Sequence, residues 1–168
     1  LLATYIKSID EEAVIALGPL PVHGEDESFP NGFTIRAEKC PNRRGVEAIV
    51  SRFNGGPMTF EDLLGNLESQ PIGGVWISGG YKTDWNDEAV AEKFAGLKTL
   101  IVQDLFTSPL LEIAHFQLPG AAFAERDGSY VNFADRLQTV AWAIRPPAGV
   151  QVEGRMFWRL LKRPGMFN

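Results

Sequence analysis

One cysteine, Cys40, and two histidines, His23 and His115, are all that 168 residues offer in thiol and imidazole ligands. A lone thiol closes no internal disulfide and holds no iron–sulfur cluster by itself. No zinc-ligand spacing joins it to either histidine, or joins the histidines to each other. No apolar run reaches the 18 residues that a membrane span needs. The opening residues, Leu1-Leu2-Ala3-Thr4-Tyr5-Ile6-Lys7, lack the charged n-region and long apolar h-region of a signal peptide. Without an initiator Met as well, the sequence reads as a piece excised from a longer chain, and one thiol with no targeting segment suits a cytoplasmic setting. Basic residues are in the minority, 16 Lys and Arg against 21 Asp and Glu, for a net charge of −5. That balance argues against nucleic acid as the main partner, because phosphate binding needs a basic face. Ser78 sits in Ser-Gly-Gly rather than in a Gly-x-Ser-x-Gly elbow, so no nucleophile with a base is evident. There is no internal repeat and no low-complexity stretch.

What is present is ordinary globular material: 45% hydrophobic and 22% charged residues, enough for one domain with one sizeable core. Residues 13–17 (Ala-Val-Ile-Ala-Leu) form a strand candidate closed by Gly18-Pro19, and a polar loop follows over residues 23–31. Residues 33–37 alternate at period two and read as a half-buried strand. Val46, Ile49, Val50 and Phe53 recur at helical spacing, so residues 44–53 read as a helix that ends at Asn54-Gly55-Gly56-Pro57. Thr59-Phe60-Glu61-Asp62 has the form of a capping box opening a helix with Phe60, Leu63, Leu64 and Leu67 on one face. Residues 75–78 read as a short buried strand. Asn86-Asp87-Glu88 then starts a helix with the stripe Val90, Phe94 and Leu97. Residues 99–102 are the next strand. Ser108-Pro109 offers a cap followed by Pro at the first helical position, and residues 115–119 are one more strand. Two strand–helix units in succession imply parallel strands. The expected class is therefore α/β: an open, mainly parallel, doubly wound sheet with flanking helices. Pro146-Pro147 reads as a linker, dividing an α/β region (residues 1–145) from an amphipathic C-terminal helix (within residues 146–168).

In such a sheet, ligands bind beyond the carboxyl ends of the strands. Ser78-Gly79-Gly80-Tyr81-Lys82-Thr83 follows a strand and precedes a capped helix, where glycines let backbone amides approach an anion. A plain tight turn is the favoured reading on the residues alone, since this is no Walker or dinucleotide fingerprint. Gln103-Asp104 ends the next strand, and the rest of that loop, through Ser108, is accounted for as strand exit and helix cap. The acid pairs Glu11-Glu12, Glu25 to Glu27 and Glu61-Asp62 read as solvated or capping groups. His115 reads as a structural partner at a helix end. Asn42-Arg43-Arg44 opening a helix could hold an anion, with solvated arginines the favoured reading.

The run His115-Phe116-Gln117-Leu118-Pro119-Gly120-Ala121-Ala122-Phe123-Ala124-Glu125-Arg126-Asp127-Gly128-Ser129-Tyr130-Val131-Asn132, continuing through Arg136 and Gln138, resembles the molybdopterin oxidoreductase family. That family has a Leu-Pro-Ala stretch, then Glu, Lys or Arg, Gly, an aromatic and Asn, after a strand resembling Val102-Gln103-Asp104-Leu105-Phe106. Residues 32–47, with Asn42-Arg43-Arg44-Gly45, and the ending from Glu153-Gly154-Arg155-Met156-Phe157-Trp158 through Asn168 look most like the large iron–sulfur subunit of NADH:quinone oxidoreductase (complex I). The resemblance implies one layer of the large pterin-binding fold. By position, Gly79, Gly80, Lys82, Thr83, Gln103, Asp104, Gly128 and Asn132 would contact a molybdopterin guanine dinucleotide. No catalytic residue and no metal ligand is expected in this chain. Where active members read Gly-x-Asn-Pro, this chain has Gly79-Gly80-Tyr81-Lys82. With the complex I likeness, that departure leads to the expectation of a scaffold domain of the electron-input subunit, inactive alone, with no cofactor of its own and vestigial contacts. Iron–sulfur clusters would lie in upstream domains. Its partners would be sibling domains and other respiratory subunits, in a peripheral arm at the inner face of the cell membrane. The alternative is the cofactor-holding domain of a molybdenum or tungsten bis-pterin oxidoreductase such as formate dehydrogenase.

Overall fold

Thr99-Leu100-Ile101-Val102 is too apolar for a strand with a wet face, and it lies at the centre of the sheet. The computed structural model describes residues 1–53, 56–80 and 85–162. In chain order its elements begin with helix α1 (Leu2–Ile9), the two-residue strands β1 (Glu27–Ser28) and β2 (Thr34–Ile35), and helices α2 (Arg43–Val50) and α3 (Phe60–Ser69). Strand β3 (Gly74–Ser78), helix α4 (Glu88–Phe94), strand β4 (Thr99–Asp104), helix α5 (Pro109–Glu112) and strand β5 (Phe116–Pro119) make the α/β unit. A single 3₁₀ turn (Phe123–Glu125) leads into the hairpin of β6 (Gly128–Val131) and β7 (Leu137–Val140), and α6 (Glu153–Leu160) follows. The strands β3-β4-β5 lie side by side in that order, all parallel, with Val75 opposite Leu100 and Val102 opposite Gln117. No helix among the described residues is long and apolar enough to cross a membrane.

Alternation along β3 and β4 sorts side chains onto two faces. Leu100 and Val102, each 1% exposed, pack with Phe60 of α3, Ala91 and Phe94 of α4, Leu97 just beyond α4, and Leu110 of α5. The other face of the sheet meets α1 and α6. Trp76 packs against the tilted ring of Phe157 of α6 at a ring-centroid distance of 5.1 Å and meets Tyr5 of α1 edge-on at 6.0 Å. Helices thus cover both faces, as a parallel sheet requires.

The helix starts follow from the sequence. Thr59 Oγ1 accepts the Asp62 N–H at 3.1 Å, and Asp62 turns its carboxylate back to the Thr59 hydroxyl rather than to the backbone. Asp87 caps Val90, and Ser108 caps Leu111 ahead of Pro109. Several expectations are corrected. Residues 13–17 form no strand. Ala16 makes one bridge to Met58, and the chain opposite enters α3 too soon for a ladder to grow. The expected strand at 33–37 shortens to β2 and pairs antiparallel with Glu27–Ser28, inside what reads as loop. His115 does not end a helix. It leads into β5, where its N–H donates to the Leu100 carbonyl and its Nδ1 accepts the Leu100 N–H at 3.0 Å. The helix read at 44–53 is α2, and it ends at Val50. The C-terminal helix lies against the sheet through Phe157, which is 2% exposed.

Leu110 is fully buried on the helix that carries the chain from β4 to β5. Leu110→Ala should lower the unfolding free energy by about 2–5 kcal/mol. In urea unfolding followed by circular dichroism, this is expected as a lower midpoint with an unchanged slope.

Candidate functional site

Strands β3 and β4 run parallel, so their carboxyl ends meet at one edge of the sheet. Gly79 and Gly80 leave β3 there, and Asp104 is the last residue of β4. The ladder continues past β3, with the Gly79 N–H donating to the Gln103 carbonyl at 2.8 Å. On the other side the Gly120 N–H donates to the Asp104 carbonyl at 3.0 Å. Asp104 is therefore held between two glycine-bearing strand exits.

The Asp104 side chain is 7% exposed. Its Oδ1 accepts the N–H of Leu105 at 2.6 Å and of Phe106 at 3.3 Å. The Gly80 amide also faces this carboxylate closely enough to favour its charged form. Burial raises the Asp104 pKa, and the amides of Leu105, Phe106 and Gly80 oppose the rise without cancelling it. One of the neighbouring glycines is required by close approach: a Cβ on Gly79 would lie 2.7 Å from Asp104 Cγ, whereas one on Gly120 would meet the Asp104 carbonyl carbon at an ordinary contact distance of 3.4 Å. Gly80 has φ +130°, a backbone conformation that side chains avoid. The result is a buried acceptor ringed by backbone, at the place where an open α/β sheet binds ligands.

Of the residues read from the sequence, Gly79, Gly80 and Asp104 come together here. Lys82 and Thr83 lie outside the described residues, as does Tyr81. Gln103 is adjacent in the chain but, by strand alternation, projects to the opposite face. There its Nε2 donates to the Gln151 carbonyl at 3.0 Å, in a residue 1% exposed. Gly128 and Asn132 belong to the β6–β7 hairpin. The Asn132 Oδ1 accepts the N–H groups of Ala134 and Arg136, and its Nδ2 donates to Gln138, so these bonds shape the turn.

Asn42-Arg43-Arg44 is built as a docking joint. Asn42 Oδ1 accepts the Val131 N–H at 2.8 Å, and Arg44 pairs with Asp135 across the hairpin at 2.6 Å. Arg43 pairs with Glu38 and Glu47, so its charge is neither free for an anion nor simply solvated. Sequence reading missed Leu105, Phe106 and Gly120 as site formers. Two of them act through backbone amides, which carry no side-chain signature. Gly120 lies just after a strand, and its N–H reaches the Asp104 carbonyl. Among the described residues, no group of three or more His, Cys, Asp or Glu could hold a metal ion.

The molybdopterin oxidoreductase family pattern matches residues 51–163, a span that contains β3, β4, β5 and the Asp104 nest. The chain belongs to the molybdopterin oxidoreductase family. It is also 32% identical over 74 residues to the F420-dependent formate dehydrogenase subunit alpha of Methanocaldococcus jannaschii. A formate dehydrogenase 1 subunit alpha from Methanococcus maripaludis is 34% identical over 73 residues. Each alignment covers 44% of this chain and 10% of the relative, so the matched stretch is about a tenth of either relative's length.

The raised Asp104 pKa has a testable sign. The folded chain keeps a proton that the unfolded chain has already released. The cost of the buried charge is therefore absent below the ordinary carboxylate range and complete above the raised value. Unfolding free energies of the parent and Asp104→Asn, compared from about pH 3 to 7, should shift progressively in favour of Asn as pH rises through that window. A difference constant with pH would mean that the carboxylate is not desolvated.

Proposed function

We propose that this chain is the cofactor-holding domain of a molybdenum or tungsten bis-pterin oxidoreductase of the formate dehydrogenase kind. The observation that carries the reading is the Asp104 nest at the carboxyl ends of β3 and β4. Family membership and the formate dehydrogenase alpha subunits named above support it. Neither of those relatives is a complex I subunit, so the cofactor-holding role leads over the complex I scaffold role.

The residues present suit a pterin or guanine group. Such rings carry amino and ring N–H donors, and a buried carboxylate is the matching acceptor. Asp104 Oδ1 is already held by the Leu105 and Phe106 amides, which orient the carboxylate before any ligand arrives. Gly79 leaves room for that carboxylate where any side chain would displace it. Gly80 offers a backbone free to come close to a ligand's polar edge. When bound, the metal–pterin group would supply the redox chemistry. The contribution of this chain is to bind and orient it: Asp104 accepts hydrogen bonds, and the glycine turn excludes side chains from the approach. Gln103 acts from behind the sheet, fixing the end of β4 to the segment before α6 through Gln151. In the reading proposed here it positions Asp104 and does not touch the cofactor.

In the intact protein, Asp104→Ala should weaken pterin retention about tenfold or more, as loss of a charged hydrogen-bond acceptor implies. The readout is fluorescent pterin released per mole of purified protein. Glu61→Gln on the exposed side of α3 should retain the parental content. Parental pterin content in Asp104→Ala would remove the nest from the binding site.

A further inference from the structure

Away from the sheet edge, a cavity of about 370 Å³ opens between the hairpin and the start of α6. It is lined by Glu125, Asp127, Trp142, Arg145, Pro146 and Arg155, with Val152 at its side. It shares no residue with the Asp104 nest.

The charges around it are unevenly engaged. Glu125 accepts the Ala122 N–H at 2.9 Å, and Asp127 accepts the Trp142 N–H at 2.9 Å. The adjacent Glu153 pairs with Arg126 at 2.9 Å. Each of these carboxylates therefore holds a donor within its own structure. Among the described residues, neither Arg145 nor Arg155 pairs with a carboxylate. Both are exposed, in a chain whose net charge is −5. The distribution of charge deepens the contrast. Residues 136–168 carry six Lys or Arg and one acid, a net of +5, so residues 1–135 carry −10. The cavity thus joins two guanidinium groups with open forks to the partly exposed indole of Trp142 and the ring of Pro146.

We infer that this cavity binds a small organic anion, a carboxylate or phosphate group held by Arg145 and Arg155 with its apolar portion against Trp142. A guanidinium fork donates two parallel hydrogen bonds to either oxyanion. The flat indole and Pro146 supply the apolar wall that a compact ligand site needs. The two carboxylates in the lining limit the ligand to a single anionic head, since a second negative group would meet Glu125 or Asp127.

The test is a nuclear magnetic resonance titration of the full chain, labelled with nitrogen-15, with inorganic phosphate and separately with benzoate. Saturable shifts of the Trp142 indole N–H and of the Arg145 and Arg155 side-chain signals are expected with at least one probe. Saturation with benzoate alone assigns the head group as carboxylate with a flat body, and saturation with phosphate alone assigns it as phosphate. Arg145→Gln and Arg155→Gln should each weaken binding about tenfold, as loss of one charged hydrogen-bonding group implies. Arg145→Lys should keep the charge and recover only part of the affinity. Both positions are exposed, and a dispersed amide spectrum shows that each variant is folded. No saturable shift with either probe, or unchanged affinity in both Gln variants, would overturn the inference.

Discussion

The central strand β4 must satisfy two faces at once, and the rest of the structure depends on how it does so. Leu100 and Val102 point into the core beneath α3, α4 and α5, while Gln103 is buried on the side of α1 and α6. Because both faces are closed, the register of β4 against β3 and β5 is tightly specified. A slip of one residue would turn Gln103 toward the apolar core and put Val102 or Asp104 against the Gln151 carbonyl. That same register delivers Asp104 to the edge of the sheet, where the chain leaves the ladder and its amides turn back on the carboxylate. Core and candidate site are thus consequences of one strand placement.

The carboxylate is costly to bury, and the glycines around it are the structural answer. Gly79 brings the exit of β3 against the Asp104 side chain, where a Cβ would collide with it, and Gly80 takes a backbone conformation that side chains avoid. Local amides offset part of the desolvation, and what they leave uncompensated raises the Asp104 pKa. A buried acceptor with incomplete compensation is suited to a ligand that brings further donors. The hairpin of β6 and β7 is a separate piece of architecture. Asn42, Arg44 and the Asn132 turn attach and shape it through specific hydrogen bonds rather than through a large apolar contact.

The α/β class, the parallel order and the caps at Thr59, Asp87 and Ser108 were legible in the sequence, because each rests on local periodicity or capping chemistry. Asp104 was legible for a similar reason: an acid ending a buried apolar run, followed by a capped helix, marks a strand's carboxyl end. The separation of Gln103 from Asp104 was also available from strand alternation, although the two read together as a pair in the linear sequence. Other features were not accessible. Residues 13–17 have a strand's composition but lack a partner long enough to pair with, and pairing is a property of the whole fold. His115 acts by accepting a buried strand amide, which depends on β4 lying beside it. The amides of Leu105 and Phe106 bind through the backbone, so no residue type announces them. The likeness to complex I rested on residues 32–47 and on the ending, whereas the relatives named above are formate dehydrogenase alpha subunits. Within the molybdopterin oxidoreductase family, the formate dehydrogenase alpha subunits therefore shift the balance toward a domain that holds its cofactor.

The central claim is that Asp104 and its glycine frame serve a bound metal–pterin group. Elemental and pterin analysis of the intact, gently purified protein tests it most directly. Molybdenum or tungsten in stoichiometric amount, together with fluorescent pterin, is the predicted result. Iron without either metal and without pterin would contradict the account and return the chain to a scaffold role with a vestigial site.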